Sequence, residues 1–514
     1  MGQKLTRRVR DVICVAKVQF MENERPAQAT DWIGRMLEQT SDAAASRHGL
    51  RHWSWNRKGV TGNDHFSRRK TMPLPRVRGF AVAKLYLWFV ALILAGHVGG
   101  ETIAADEATA TPVGSETTAT GDEPASRAAD KLRSRERELL RTAAAFHREG
   151  KFDKALDATQ RLTAVRKQLL GEQDPGYAAC LNNLGELYRL LARYGEAEAA
   201  FGEAAKILKG AAREGRLQYA LTINNQGLLY IEMAEYARAE SLLAEAALLL
   251  KKELGEDDPK YALALNNQGL LYKAMGDIGR AESLFRQAGE IVKKSVGEQD
   301  ALYATTLNNL ADLFQDQGDI DRARSHYRKA ADILKATQGE THPNYAMALS
   351  NLADLYRDEG NYKQAETLAV QAMKVLKDTL GEQHPLYAVA LGNLGQIYLK
   401  DQDLARAEPL LRDCAKVLKE TVGERHPYYA ASRRGLAELY LARGDYEKAE
   451  QLVQEALTID GEVLGRNHPK LIEPLKTYAA LLHKTDREDE AKAVEERITK
   501  LRSLVASRSK EERR

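Results

Sequence analysis

Seven tyrosines, Tyr177, Tyr219, Tyr261, Tyr303, Tyr345, Tyr387 and Tyr429, follow one another at a constant spacing of 42 residues without a single insertion. A fixed period of this length means one supersecondary unit copied along the chain, each copy burying its face against the next. With the tyrosine as position 0, position 7 is Leu184, Gln226, Gln268, Leu310, Leu352, Leu394 and Leu436, and position 8 is Gly or Ala from Gly185 to Ala437. Position 11 is aromatic from Tyr188 through Phe314 to Tyr440, and position 20 is Ala in every unit from Ala197 to Ala449. A helix turns by roughly 100° per residue, so positions 4, 7, 8 and 11 share one face while 2, 5, 6, 9, 12 and 13 share the opposite one. The first face is the packed one: a small residue at 8 lets a second helix carrying Ala at 20 approach closely, and the aromatic at 11 fills the space beside them.

Each unit is therefore predicted to be a helical hairpin. Gly276, Gly318, Gly360 and Gly444 end the first helix, and segments such as LGEDDP, LGEQHP and VGERHP end the second. Only 7% aromatic residues and 13 prolines suit an all-α chain better than sheet. Gly150, Phe152 and Ala155 fit positions 15, 17 and 20 of a first unit, which reads as an N-terminal cap. Arg433, Arg434 and Gly435 break the columns, and Ala479, Leu482 and Ala491 persist in a highly charged last unit that reads as the C-terminal cap. The array is placed at residues 131–512 as about nine units.

The residues at positions 7, 8, 11 and 20 resemble the tetratricopeptide repeat, from residue 135 to about 505. LNNLGELY or LNNQGLLY in the first helix, and the LGE and H-P or D-P segments between units, are similar to the kinesin light chain variety with its 42-residue unit. That resemblance implies a tetratricopeptide-type solenoid wound as a right-handed superhelix, with a peptide-binding concave groove in which the asparagines have a role. It does not imply motor transport, because no heptad stretch precedes the repeats.

Position 6 carries Asn183, Asn225, Asn267, Asn309, Asn351 and Asn393, on the face away from the hairpin seam. Asparagine is a poor helix former, so packing alone does not call for it there. Its amide both donates and accepts, which suits holding a peptide backbone; the competing role is a ladder of bonds between helices that orders the stack. Asn182, Asn224, Asn266 and Asn308 share this face at position 5. Leu221, Leu228, Ile231, Leu263 and Leu270, at positions 2, 9 and 12, form a candidate apolar anchor patch, the alternative being burial against the next unit. Glu186, Asp312, Asp354 and Glu438 at position 9 alternate with Arg189, Lys273 and Arg357 at position 12 as candidate selectivity groups. Gln226 and Gln268, where leucine would pack, are expected to bond to each other.

No phosphate loop, zinc-protease helix, nucleophile elbow or catalytic Cys and His pair is present, so neither catalysis nor a cofactor or metal site is expected. His342, His384, His426 and His468 recur before proline, but Asp174 and Asp258 occupy the same column, so the reading is helix N-capping with Pro at the first helical position. Cys14, Cys180 and Cys414 lie too far apart for a ligand or disulfide framework, and the latter two sit where sister units carry small core residues. Up to Lys84 the chain has 17 basic and 7 acidic groups, against 59 and 66 beyond it, so the repeats are mildly acidic and nucleic acid is not an expected partner.

Residues 1–78 read as a basic head of low periodicity, with Met72 as a possible true start. Residues 79–98, GFAVAKLYLWFVALILAGHV, contain twelve residues from Leu85 to Gly96 without a polar side chain, preceded by Arg76 and Arg78. This is a signal-peptide core or, alternatively, a membrane anchor. Residues 99–130 read as a flexible acidic linker. The expectation is a non-catalytic scaffold for other proteins or peptides, exported or membrane-anchored through residues 79–98 with its repeats outside the cytoplasm. The alternatives are a structural spacer and a cytoplasmic location.

Overall fold

The computed structural model describes residues 123–511. The basic head, Cys14, the apolar segment 79–98 and most of the expected linker lie outside them. Among the described residues there are eighteen α-helices, one three-residue 3-10 helix and no strand. The helices pair into nine hairpins. Unit 1 is α1 (Glu123–Arg148) and α2 (Phe152–Leu170), unit 2 is α3 (Pro175–Leu190) and α4 (Tyr194–Leu208), and unit 3 is α5 (Arg213–Glu232) and α6 (Tyr236–Leu254). Units 4 to 6 are α7 (Pro259–Ala274) with α8 (Ile278–Ser295), α9 (Ala301–Gln317) with α10 (Ile320–Gln338), and α11 (Pro343–Asp358) with α12 (Tyr362–Leu380). Units 7 to 9 are α13 (Pro385–Lys400) with α14 (Leu404–Thr421), α15 (Pro427–Arg443) with α16 (Tyr446–Leu464), and α17 (Ile472–Lys484) with α18 (Glu488–Glu511). Helix α1 starts at Glu123, inside the stretch assigned to the linker, because its amphipathic run reaches further back than the repeat columns do.

The close approach inside each hairpin explains the position-8 column. A Cβ added at Gly185 would lie 2.7 Å from the Phe201 ring, one at Gly227 2.7 Å from Leu243, and one at Gly269 2.6 Å from Phe285. Opposite, the position-20 alanines Ala197, Ala239, Ala281, Ala323, Ala365 and Ala407 are fully buried. Any larger side chain in either column would force the helices apart, at a cost of about 1–3 kcal/mol. Helix starts follow the capping chemistry. The side chains of Asp174, Asp258, His342, His384, His426 and His468 each accept from the backbone N–H two residues on, with Pro at the following position. Gly318 and Gly444 close α9 and α15 in the left-handed region at φ 81° and 84°. Phe152 and Ala155 are buried in unit 1. At the other end Leu471, Ile472, Leu475, Ile498 and Leu501 form a separate apolar cluster that joins α18 to the helix before it.

The stacked units wind until the chain meets itself. Nε2 of His426, at the start of unit 8, lies 3.0 Å from the carbonyl of Leu190 in unit 2, 236 residues earlier. Nε2 of His468, ahead of unit 9, lies 2.8 Å from the carbonyl of Glu232 in unit 3, again 236 residues away. Unit 7 meets unit 1 at Gly150, where an added Cβ would stand 2.6 Å from Pro385 Cδ and 2.7 Å from His384 Cδ2. Units 7, 8 and 9 therefore rest on units 1, 2 and 3, one superhelical turn apart. A small rotation repeated at every unit produces this closure.

Candidate functional site

The first helices of the hairpins present positions 5, 6, 9 and 12 away from the hairpin seam, and there the asparagines divide into two groups. In the first, amides link successive units. Asn225 Nδ2 donates to Asn182 Oδ1 at 3.3 Å, Asn267 to Asn224 at 3.1 Å, and Asn309 to Asn266 at 2.9 Å. Position 6 of each unit thus bonds to position 5 of the unit before, a ladder that runs through units 2 to 5. Asn183 at its foot is exposed and Asn225 is half-buried, whereas Asn267 is 4% exposed.

The second group is buried without partners. Neither amide atom of Asn308 or Asn393 has a hydrogen-bond partner, nor has Asn351 Oδ1. Their residues are 1%, 2% and 2% exposed. The acceptor column changes here: Ser350 and Gly392 stand at position 5, and the Ser350 hydroxyl donates to the Ala346 carbonyl. A buried polar group left unpaired costs about 1–3 kcal/mol, so three consecutive units carry amides that a backbone of alternating N–H and C=O groups would satisfy.

The charged columns are engaged with one another across units. Arg189 pairs with Glu186 at 2.5 Å and also with Glu232 of the next unit. Lys273 bridges Asp312 and Asp316 of the next unit, and Arg357 holds Asp354 at 2.5 Å and Asp358 at 3.2 Å. Gln315 donates to Asp358 and Gln396 to Glu438, which also pairs with Arg434. Burial raises the Glu232 carboxyl, with Arg189 and Lys470 pulling the other way. These groups form an ordered polar track, not loose rim charges.

Of the anchor-patch residues, Leu228 is 1% exposed and belongs to the interior. Leu221, Ile231, Leu263 and Leu270 are half-buried, with Leu221 and Leu270 packed on core clusters. The expected pairing of Gln226 with Gln268 does not occur. Gln226 Nε2 donates to the Tyr230 hydroxyl of its own helix at 3.3 Å and Gln268 Nε2 to the Leu243 carbonyl of the preceding unit at 3.2 Å, so each amide has another partner.

Cys180 and Cys414 are buried free thiols, and burial pushes the Cys414 thiol up to about 12. Among the described residues no group of His, Cys, Asp and Glu is arranged to hold a metal ion. No helix among them is long and apolar enough to cross a membrane.

A family model described as tetratricopeptide repeat matches residues 137–210, 218–294, 302–378, 346–420, 387–462 and 428–503. Among solved structures, BtubC (BKLC) from P. vanneervenii is 25% identical, with 46% of this chain and 91% of that one covered and a TM-score of 0.37. A putative kinesin light chain with nearly identical TPR-like repeats from P. anserina is 22% identical, with 40% and 97% covered and a TM-score of 0.34. A Rap protein complexed with competence and sporulation factor is 15% identical, with 74% and 99% covered and a TM-score of 0.50. No curated protein sequence matches the chain.

Proposed function

Because this chain belongs to the tetratricopeptide repeat family, we propose that it is a non-catalytic scaffold that holds an extended peptide segment of a partner protein along its inner face. The observation that carries this reading is the set of unpaired, buried amides at Asn308, Asn351 and Asn393. An extended backbone supplies donors and acceptors in alternation, and it does so whatever its side chains, so these three residues hold the chain without reading its sequence. The half-buried Leu263 and Leu270 and the polar track through Asp312, Asp354 and Glu438 supply the side-chain preference.

Affinity selection of a random peptide library on the full chain, and on a variant with Asn308, Asn351 and Asn393 replaced by alanine, tests it. Recovery of the same peptides by the variant, with its helix content intact, would remove the asparagines from the site. A second reading, a structural spacer without a groove ligand, draws on the ladder from Asn182 to Asn309, which stiffens units 2 to 5. It predicts that no peptide is recovered by either protein.

The repeats are further proposed to work outside the cytoplasm, tethered or released through residues 79–98, on the strength of that segment's unbroken apolar run and basic flank. N-terminal sequencing of the mature protein decides between cleavage and retention. A cytosolic chain with residues 1–100 intact would overturn both.

A further inference from the structure

A histidine that caps a helix through Nδ1 must keep that nitrogen unprotonated, because it accepts the backbone N–H. The proton then sits on Nε2, which becomes a donor pointing out of the helix start. The rings of His342, His384, His426 and His468 all cap in this way, at 3.1, 3.0, 3.0 and 3.2 Å. What differs is what Nε2 meets. For His426 and His468 it is the carbonyl of Leu190 or Glu232, at the end of a first helix where no intrahelical donor remains. His384 stands against Gly150, just after the first helix of unit 1. His342 is half-buried and makes no second hydrogen bond. Tyr428 stacks edge-on against the His426 ring with centroids 4.6 Å apart, and Arg189 and Glu232 pair beside it.

The inner face and this seam are mechanically linked. The carbonyls that the histidines engage terminate α3 and α5, the helices that carry Asn182, Asn183, Asn224 and Asn225. While the turns are joined, the spacing between units cannot change, and the amides of Asn351 and Asn393 stay buried at 2% exposure. An extended segment reaches them only when the coil lengthens.

We propose that the three histidine contacts between superhelical turns are a latch, and that its release opens the coil to admit the peptide to the inner face. The gating half rests on the peptide-binding reading above; the latch itself does not.

The test replaces His426 and His468 together by asparagine. Asparagine retains the helix cap but is too short to reach the opposing carbonyl. His342→Asn, whose ring makes no contact with an earlier turn among the described residues, is the control. Small-angle scattering of the full chain should give a larger radius of gyration for the double variant and an unchanged one for the control, both with unchanged helix content. An unchanged radius for the double variant overturns the latch. With a labelled peptide recovered from the random library, association should be about 25-fold faster for the double variant, since two contacts worth about a factor of five each no longer hold the closed state. A larger radius with an unaltered association rate overturns gating and leaves the latch standing. Recovery of no peptide by any of the three proteins overturns the peptide-binding reading, and the scattering result still decides the latch.

Discussion

His342 and His426 open units 6 and 8 with the same His-Pro pair and the same cap, yet His342 is half-buried and His426 is 5% exposed. The loop at the far end of the first helix shows the same contrast. A Cβ at Gly360 or Gly444 would meet nothing within 4 Å, while one at Gly150 would collide with His384 and Pro385. At the corresponding positions of units 2 and 3, Ala192 and Ala234 hold positive φ values of 54° and 56°, as Gln402 and Asp486 do in units 7 and 9, where units 1, 4, 5, 6 and 8 use glycine. Copies of one hairpin thus live in two environments: among the described residues the middle units pack chiefly on their neighbours in the chain, and the outer units also touch the next turn. The unit's sequence sets its own packing, and its place in the coil sets what its ends must tolerate.

Four measurements break or sharpen that contrast. The largest effect is expected at Asp460, which stands in the seam where Leu208, Leu250, Val292, Leu334, Leu376 and Leu418 stand in the other units. It is 7% exposed with Oδ1 unpaired, and burial raises its carboxyl to about 7, against the pull of Lys470 and Arg434. A raised acid gives its full stability below its unfolded value of 3.8 and loses it as pH rises to about 7. Asp460→Leu should therefore stabilise the chain at pH 8 by about 2–4 kcal/mol in denaturant unfolding, with a shrinking gain toward pH 4. Earlier unfolding of the variant at pH 8 would show that the carboxylate supports the seam.

The next effect has the opposite sign. Burial lowers the His384 and His426 rings from 6.5 to about 4, so their stability is complete above 6.5 and is lost as pH falls toward about 4. Each accounts for up to about 3 kcal/mol of the loss. Ring chemical shifts should show His384 and His426 titrating well below His342. Coincident titration would erase the difference between the two environments.

Third, Gly150→Ala and Gly360→Ala share the strain of a side chain at φ 69° and 79°, about 1 kcal/mol. Only the first adds a collision, worth about 1–3 kcal/mol more. Equal melting temperatures would mean that units 1 and 7 do not touch in solution. The smallest effect separates paired from unpaired amides: Asn309→Ala should cost about 1 kcal/mol by stranding Asn266, and Asn393→Ala should be neutral or slightly stabilising.

The hairpins were legible in the sequence because their requirements recur at every unit: the Gly or Ala at position 8, the Ala at 20, and the Asp or His cap before Pro. The asparagine column was legible as a polar face, but its division was not: Ser350 removes the acceptor that Asn393 would use, whereas Asn308 and Asn351 keep the register of the ladder and still do not pair. Leu228 shows a similar limit, because the helix face it occupies is exposed or buried according to the tilt of the next unit. The seam had a single trace, the replacement of aspartate by histidine in the capping column from unit 6 onward. A carboxylate has nothing to donate to a carbonyl, and an imidazole has.

The separation of 236 residues is the same for both histidine bonds, and this has a consequence for how such an array can grow. Duplication of one hairpin upstream or downstream of the joined pairs adds a further joint and alters none of the existing ones. A single extra residue in a loop that both spans share, between Glu232 and His426, displaces both joints at once. Lineages of a coil of this kind should accordingly vary in whole hairpins and conserve the length of each connecting loop, even where the residues in that loop drift.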